Sequence, residues 1–198
     1  MEGTKPVNKK LAAALSGGAV LVLALSGCGS SEDSGNDKLN SWAKQVCDAV
    51  KPQAQKIEEA NAAIQKQTSD NSTPEAVQKT DAQAFQDMSD AYKAIGTAVF
   101  NAGPPDVEDG KTKQTNAVKE LNGISAQYAA LKTQVAKLDT KDQAKFAEGL
   151  KGIATQLGQL SQSGNDALKK LEEGDVGTAM AQQESCKSAS GSPGAANG

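Results

Sequence analysis

Residues 117–138 read AVKELNGISAQYAALKTQVAKL, and the positions of their apolar side chains decide the fold. Ala117, Leu121, Ile124, Tyr128, Leu131, Val135 and Leu138 recur at alternating steps of four and three. That is the period of a helix burying one narrow seam against neighbouring helices. The run predicts a helix near Pro105–Leu138. Asp106, Glu108 and Asp109 form its acidic first turn, at the positive end of the helix dipole.

The same period extends in both directions along the chain. A first helix is predicted near Leu39–Gln67, with Ala43, Val46, Val50, Ile57, Ala60 and Ile64 on the seam and polar Gln53 completing the series. Pro52 lies inside it, deletes one backbone hydrogen bond and should kink it. A second spans Pro74–Asn101 with Phe85, Met88, Tyr92, Ile95 and Val99. Thr73 before Pro74 reads as an N-cap followed by a first-turn proline, a reading preferred to glycosylation at Asn71-Ser72-Thr73. The Asn101-Ala102-Gly103-Pro104-Pro105 stretch ends this helix.

Thr140 and Gln143 form a capping box for a fourth helix. Its seam is Phe146, Leu150, Ile153, Leu157, Leu160, Gly164, Ala167 and Leu171. Gly149, Gly152 and Gly158 interrupt it at about 1 kcal/mol each against alanine, unless they permit close helix approach or open a groove. Gly174 stops it, and Asp175 caps a short last helix carrying Val176, Met180 and Cys186. Amphipathic helices with short connections pack as an all-α, up-and-down four-helix bundle. The first and fourth then lie side by side, with the short C-terminal helix folded back on the start of the first.

The start of the chain reads as an address. Three lysines precede an apolar run from Leu11 to Leu25, too short for the usual membrane span of about 17–25 apolar residues and fitting a secretory signal. It ends Leu25-Ser26-Gly27-Cys28, which resembles the bacterial lipobox. The resemblance implies that the Cys28 thiol takes a diacylglycerol and that cleavage falls between Gly27 and Cys28. Residues 1–27 are then a removed signal peptide. Residues 28–38 are the lipidated cysteine and a flexible polar tether reaching roughly 17 Å. Residues 39–187 form the bundle domain, and 188–198 are a low-complexity tail read as disordered. With no arginine in the chain there is no twin-arginine signal, which favours the general secretory route.

Removing 27 of 198 residues takes three of 21 lysines and one of 24 acids, leaving 18 against 23, a formal net charge of −5. That balance provides no basic patch for nucleic acid, and anionic headgroups would not attract the domain strongly. With Cys28 assigned to lipid, Cys47 and Cys186 remain in an exported setting where disulfides form. The bundle brings their neighbourhoods together. A disulfide there would close nearly the whole domain, worth at most about 5 kcal/mol on chain entropy. Two free thiols or a redox pair are the alternatives, though Cys-x-x-Cys spacing is absent.

The chain has no histidine, which removes the commonest general base and transition-metal ligand. No phosphate-binding glycine loop is present. No catalytic residue, metal ligand or cofactor is assigned. Glu58-Glu59 and Glu172-Glu173 are adjacent pairs that do not share a helix face. They read as solvated surface, as do Asp106, Glu108 and Asp109, for which weak calcium binding without EF-hand spacing is the alternative. Trp42 reads as core in preference to a ligand-facing aromatic, and Tyr92 and Tyr128 as core-edge residues.

In overall plan the chain resembles the small lipoproteins of high-GC Gram-positive bacteria such as streptomycetes. The likeness rests on the lipobox, an Ala/Gln/Lys-rich helical domain and a tryptophan shortly before the first of two cysteines. It implies a lipid-anchored protein on the extracytoplasmic face of the cell membrane. The expectation is a non-enzymatic domain contacting an envelope protein or the cell wall. The alternative is a lipoprotein holding a small molecule or lipid between its helices.

Overall fold

The computed structural model describes residues 31–69 and 72–189. The signal segment 1–27, Cys28 and the tail from 190 onward lie outside them, as do the side chains of the seam positions Gly164 and Ala167. All regular structure among the described residues is helical: α1 Ser31–Ser69, α2 Pro74–Asn101, α3 Gly110–Val135, α4 Gln143–Leu171, α5 Asp175–Ala181 and α6 Glu184–Ala189. No helix among them is long and apolar enough to cross a membrane.

The four long helices form an all-α bundle, with α1 packed on α2, α2 on α3 and α3 on α4. The expectation that the first and fourth lie side by side is corrected, because among the described residues α1 packs on α5 and α6 and hardly touches α4. The seams face inward and divide into two clusters. One joins Leu39, Trp42, Ala43, Val46 and Cys47 of α1 to Ile95 and Val99, Ala117 and Leu121, Leu171, and Val176, Ala179 and Met180. The other, toward the opposite end, joins Ala60 to Phe85 and Met88, to Ile124, Tyr128, Leu131 and Val135, and to Ile153 and Leu160. Alpha-helices 1 and 4 contribute to both clusters, as the up-and-down order requires, while α5 and α6 also pack directly on α1.

Four local expectations are corrected. First, α1 begins at Ser31, so residues 31–38, expected as part of a flexible tether, are helical. Once the turns around buried Leu39 and Trp42 have nucleated, adding a preceding helical residue needs no new nucleus. Pro52 lies inside this helix, as expected.

Second, α3 begins at Gly110 and not near Pro105, so Asp106, Glu108 and Asp109 precede the helix. Pro105 and Val107 accept turn bonds from Val107 N (2.9 Å) and Gly110 N (3.0 Å). Asp109 then takes the left-handed conformation, φ 58°, which Asp tolerates better than most residues. A Cβ on Gly110 would meet the Pro105 carbonyl oxygen, so this corner requires glycine.

Third, Asp142 caps α4, its Oδ1 accepting from Lys145 N at 3.1 Å. Thr140, expected as the cap, instead lies by Glu75, whose carboxyl it helps to hold low. Asp is at least as good an N-cap as Thr and sits next to the first helical residue.

Fourth, the single last helix is two. Asp175 is the first residue of α5 rather than its cap, and Gly174 occupies the cap position at φ 77°. A turn at Gln182–Gln183 then redirects the chain, placing Val176 and Met180 on α5 and Cys186 on α6. At α2 the expected cap is present: Thr73 Oγ1 accepts from Ala76 N at 3.3 Å ahead of Pro74.

Candidate functional site

The chain converges at the bundle end where α1 begins. Trp42 and Ala43, Val46 and Cys47 follow one another at helical spacing and are buried. Trp42 is 6% exposed, and its indole N–H donates to Gly103 O at 2.8 Å, so the tryptophan is core and its polar edge is used. Gly103, at φ 77°, provides that carbonyl as it ends α2. Cys47 and Cys186 form a disulfide with Cα atoms 5.0 Å apart. Cys47 is fully buried, while Cys186 is half-buried on α6.

Beside the disulfide, Ser185 Oγ donates to Asp48 and Lys44 Nζ lies 2.6 Å from Asp48 Oδ2. These bonds, that from Lys44 foremost, hold the Asp48 carboxyl below its ordinary range. The group is exposed, so the ion pair adds little to stability. Gly177 is fixed by packing: a Cβ there would strike the Glu172 carbonyl oxygen.

The acidic residues singled out in the sequence do not converge on a reaction centre. Asp106, Glu108, Asp109, Glu172 and Glu173 are exposed, and Glu59 is exposed on α1 beside half-buried Glu58. Among the described residues no group of three His, Cys, Asp or Glu side chains is arranged to hold a metal.

Two open recesses flank this end. One, of about 380 Å³, is bordered by Val107, Glu108, Asp109, Lys113, Glu173 and Asp175. The other, of about 570 Å³, runs along Lys38, Ser41, Trp42, Pro104, Pro105 and Asp106, with Lys38 and Asp106 3.5 Å apart. Both lie at the turns and not between the long helices. The helix glycines form no common groove either: Gly149 packs against Leu138, and a Cβ on Gly152 or Gly158 would meet nothing.

At the other end Tyr92 stacks on Tyr128, ring centroids 5.5 Å apart, and Phe85 lies 6.3 Å from Tyr128. Burial pushes both phenols up, that of Tyr128 further because Tyr92 adjoins it. Tyr128 is buried and Tyr92 half-buried. Ser89 Oγ donates to Ser125 O at 2.9 Å and ties α2 to α3 within the core.

The sequence reading missed a set of polar residues at the seam ends. Gln78 Nε2 donates to Val135 O (3.0 Å) and Leu138 O (2.8 Å), capping the C-terminus of α3. Reciprocally, Gln114 Nε2 donates to Val99 O and Phe100 O, both at 3.0 Å, capping the C-terminus of α2. These bonds reach carbonyls at the helix ends, adding to the backbone turn bonds that Val135 O and Phe100 O already accept from Leu138 N and Gly103 N. Asp81 is 7% exposed, its Oδ1 has no hydrogen-bond partner, and burial raises its carboxyl to about 6. Gln67 Oε1 is likewise buried without a partner. A signal for all four existed, because continuing the three-and-four stepping one or two places from Ile64, Phe85 and Ala117 lands on Gln67, on Asp81 and Gln78, and on Gln114.

Comparison of the chain with protein-family models, with curated proteins and with solved structures finds no match.

Proposed function

We propose that this protein is a lipid-anchored envelope protein on the extracytoplasmic face of the membrane. In this reading its helical bundle is a non-enzymatic interaction domain for another envelope protein or the cell wall. The observation that carries the proposal is the Leu25-Ser26-Gly27-Cys28 sequence at the end of a basic-then-apolar segment. The cysteine inventory supports it: Cys47 and Cys186 are paired with each other, which leaves Cys28 as the odd thiol. Helical surfaces without a histidine, a metal cluster among the described residues or a phosphate loop suit contact better than catalysis. The alternative, a ligand held between the helices, draws no support from recesses that lie at the turns and open to solvent.

The test is metabolic labelling with a tagged fatty acid in a bacterial host. The unaltered chain should take up label and fractionate with membranes. Cys28→Ala should lose the label and either remain unprocessed or leave the membrane. Equal labelling of both chains would overturn the proposal.

A further inference from the structure

The start of α1 fixes how far the bundle can sit from a lipid on Cys28. Two residues, Gly29 and Ser30, separate Cys28 from Ser31, so three chain steps give a reach of at most about 10 Å. From Ser31 the chain is helical. The bundle proper begins at the level of Lys38, which pairs with Asp106, and of Trp42, which bonds Gly103. The seven residues from Ser31 to Asp37 therefore project ahead of the α2–α3 turn by about 10 Å of helix. Leu39 and Trp42 share a cluster with Leu171 and Val176, so the α4–α5 turn lies at this same end.

The charge on this end opposes contact with an anionic surface. Asp106, Glu108, Asp109, Glu172, Glu173 and Asp175 are all exposed here, against Lys38, Lys111, Lys113 and Lys170. The cytoplasmic membranes of bacteria and vesicles rich in phosphatidylglycerol carry negative surface potentials that decay over about 8 Å at physiological salt. A helical extension of about 10 Å keeps the acidic turns outside most of that field, so that only the extension's own Glu32, Asp33 and Asp37 enter it. A collapsed tether would bring them into it.

Resting on the lipid-anchor reading above, we propose that residues 31–37 are a rigid spacer. It stands the bundle end-on above an anionic bilayer, with the acidic α2–α3 and α4–α5 turns toward the lipid. The α1–α2 turn and the α3–α4 turn at residues 136–142 are then outermost and face the envelope. Alpha-helix 1 runs the height of this arrangement, about 58 Å for its 39 residues.

The experiment is neutron reflectometry on the full mature lipidated chain, reconstituted in supported bilayers of phosphatidylglycerol and phosphatidylcholine. The expected protein layer is about 60 Å thick, against about 25 Å for a bundle lying on its side. Asn36→Pro is the matched variant. Proline is accepted at the first position of a helix, so the helix from residue 36 survives while the turn before it is released. This variant should melt like the parent yet give a layer about 7 Å thinner, the length of the five released residues 31–35. A parent layer near 25 Å with the protein retained, or equal heights for parent and variant, would overturn the spacer and leave the anchor standing. Protein that washes off the bilayer would overturn the anchor and the spacer with it.

Discussion

The two ends of the bundle are closed in different ways. At the end where α1 starts, Trp42 reaches Gly103 and a disulfide joins Cys47 to Cys186. At the other end Phe85, Tyr128 and Tyr92 pack together, and two buried oxygens, on Gln67 and Asp81, have no partner. The difference follows from connectivity. The α1–α2 and α3–α4 turns close the second end between helices adjacent in sequence. The first end must join α1 to α5 and α6, 139 residues away at the disulfide, and loop-closure entropy grows with that separation. The cross-link sits where closure is entropically dearest, and the polar seam residues without partners sit where closure is local.

The largest expected effect breaks the staple. Cys47→Ala combined with Cys186→Ala should lower the unfolding free energy by up to about 5 kcal/mol in urea titrations. A loss below about 1 kcal/mol would erase the contrast between the ends. Next, Phe85→Ala should cost about 4 kcal/mol, because Phe85 is 1% exposed and its removal opens a cavity beside Tyr128. A near-neutral result would show that the local end is not held by its aromatic core.

Asp81 gives the contrast a pH signature. Its carboxyl rises from 3.8 to about 6 on folding, so the folded protein keeps a proton that the unfolded chain has released over that interval. Stability attributable to Asp81 therefore falls as pH rises from about 4 to about 6, and the cost is complete above that range. The exposed carboxyls of Asp48, Glu75, Asp142 and Glu184 are held low and act in the opposite sense, losing their contribution as pH falls through their folded values. Comparison with Asp81→Asn isolates the residue. The variant should gain about 2 kcal/mol on the parent between pH 4 and pH 7, an amount reduced for water reaching the carboxyl. Parallel pH profiles would contradict this assignment.

The smallest effect belongs to Trp42→Phe, which removes the bond to Gly103 O while keeping most of the ring. It should cost about 1 kcal/mol in the same titration, and no change would mean that this bond adds nothing to the stapled end.

Seam periodicity carried the number and order of the four long helices and most of the core, because Leu121 through Val135 and Phe85 through Val99 obey one spacing and are buried by it. Pro74 and Thr73 marked the start of α2 for the same local reason. Helix ends governed by distant partners were not legible. Gln78 caps α3 and Gln114 caps α2 only after the helices have packed. The α3 start at Gly110 depends on a left-handed Asp109 and on a close approach to Pro105 that no spacing announces. The cysteine pair was legible as one of three options because the bundle topology brought both ends together, and the disulfide is the one the fold adopts.

The central claim unites an anchor at Cys28 with a staple between Cys47 and Cys186. The intact mass of protein extracted from membranes under non-reducing conditions tests both at once. It should correspond to the chain from Cys28 to Gly198 carrying a diacylglyceryl adduct on Cys28 and lacking the two thiol hydrogens of the bridged pair. A chain beginning elsewhere, or one without the lipid adduct, would contradict the account.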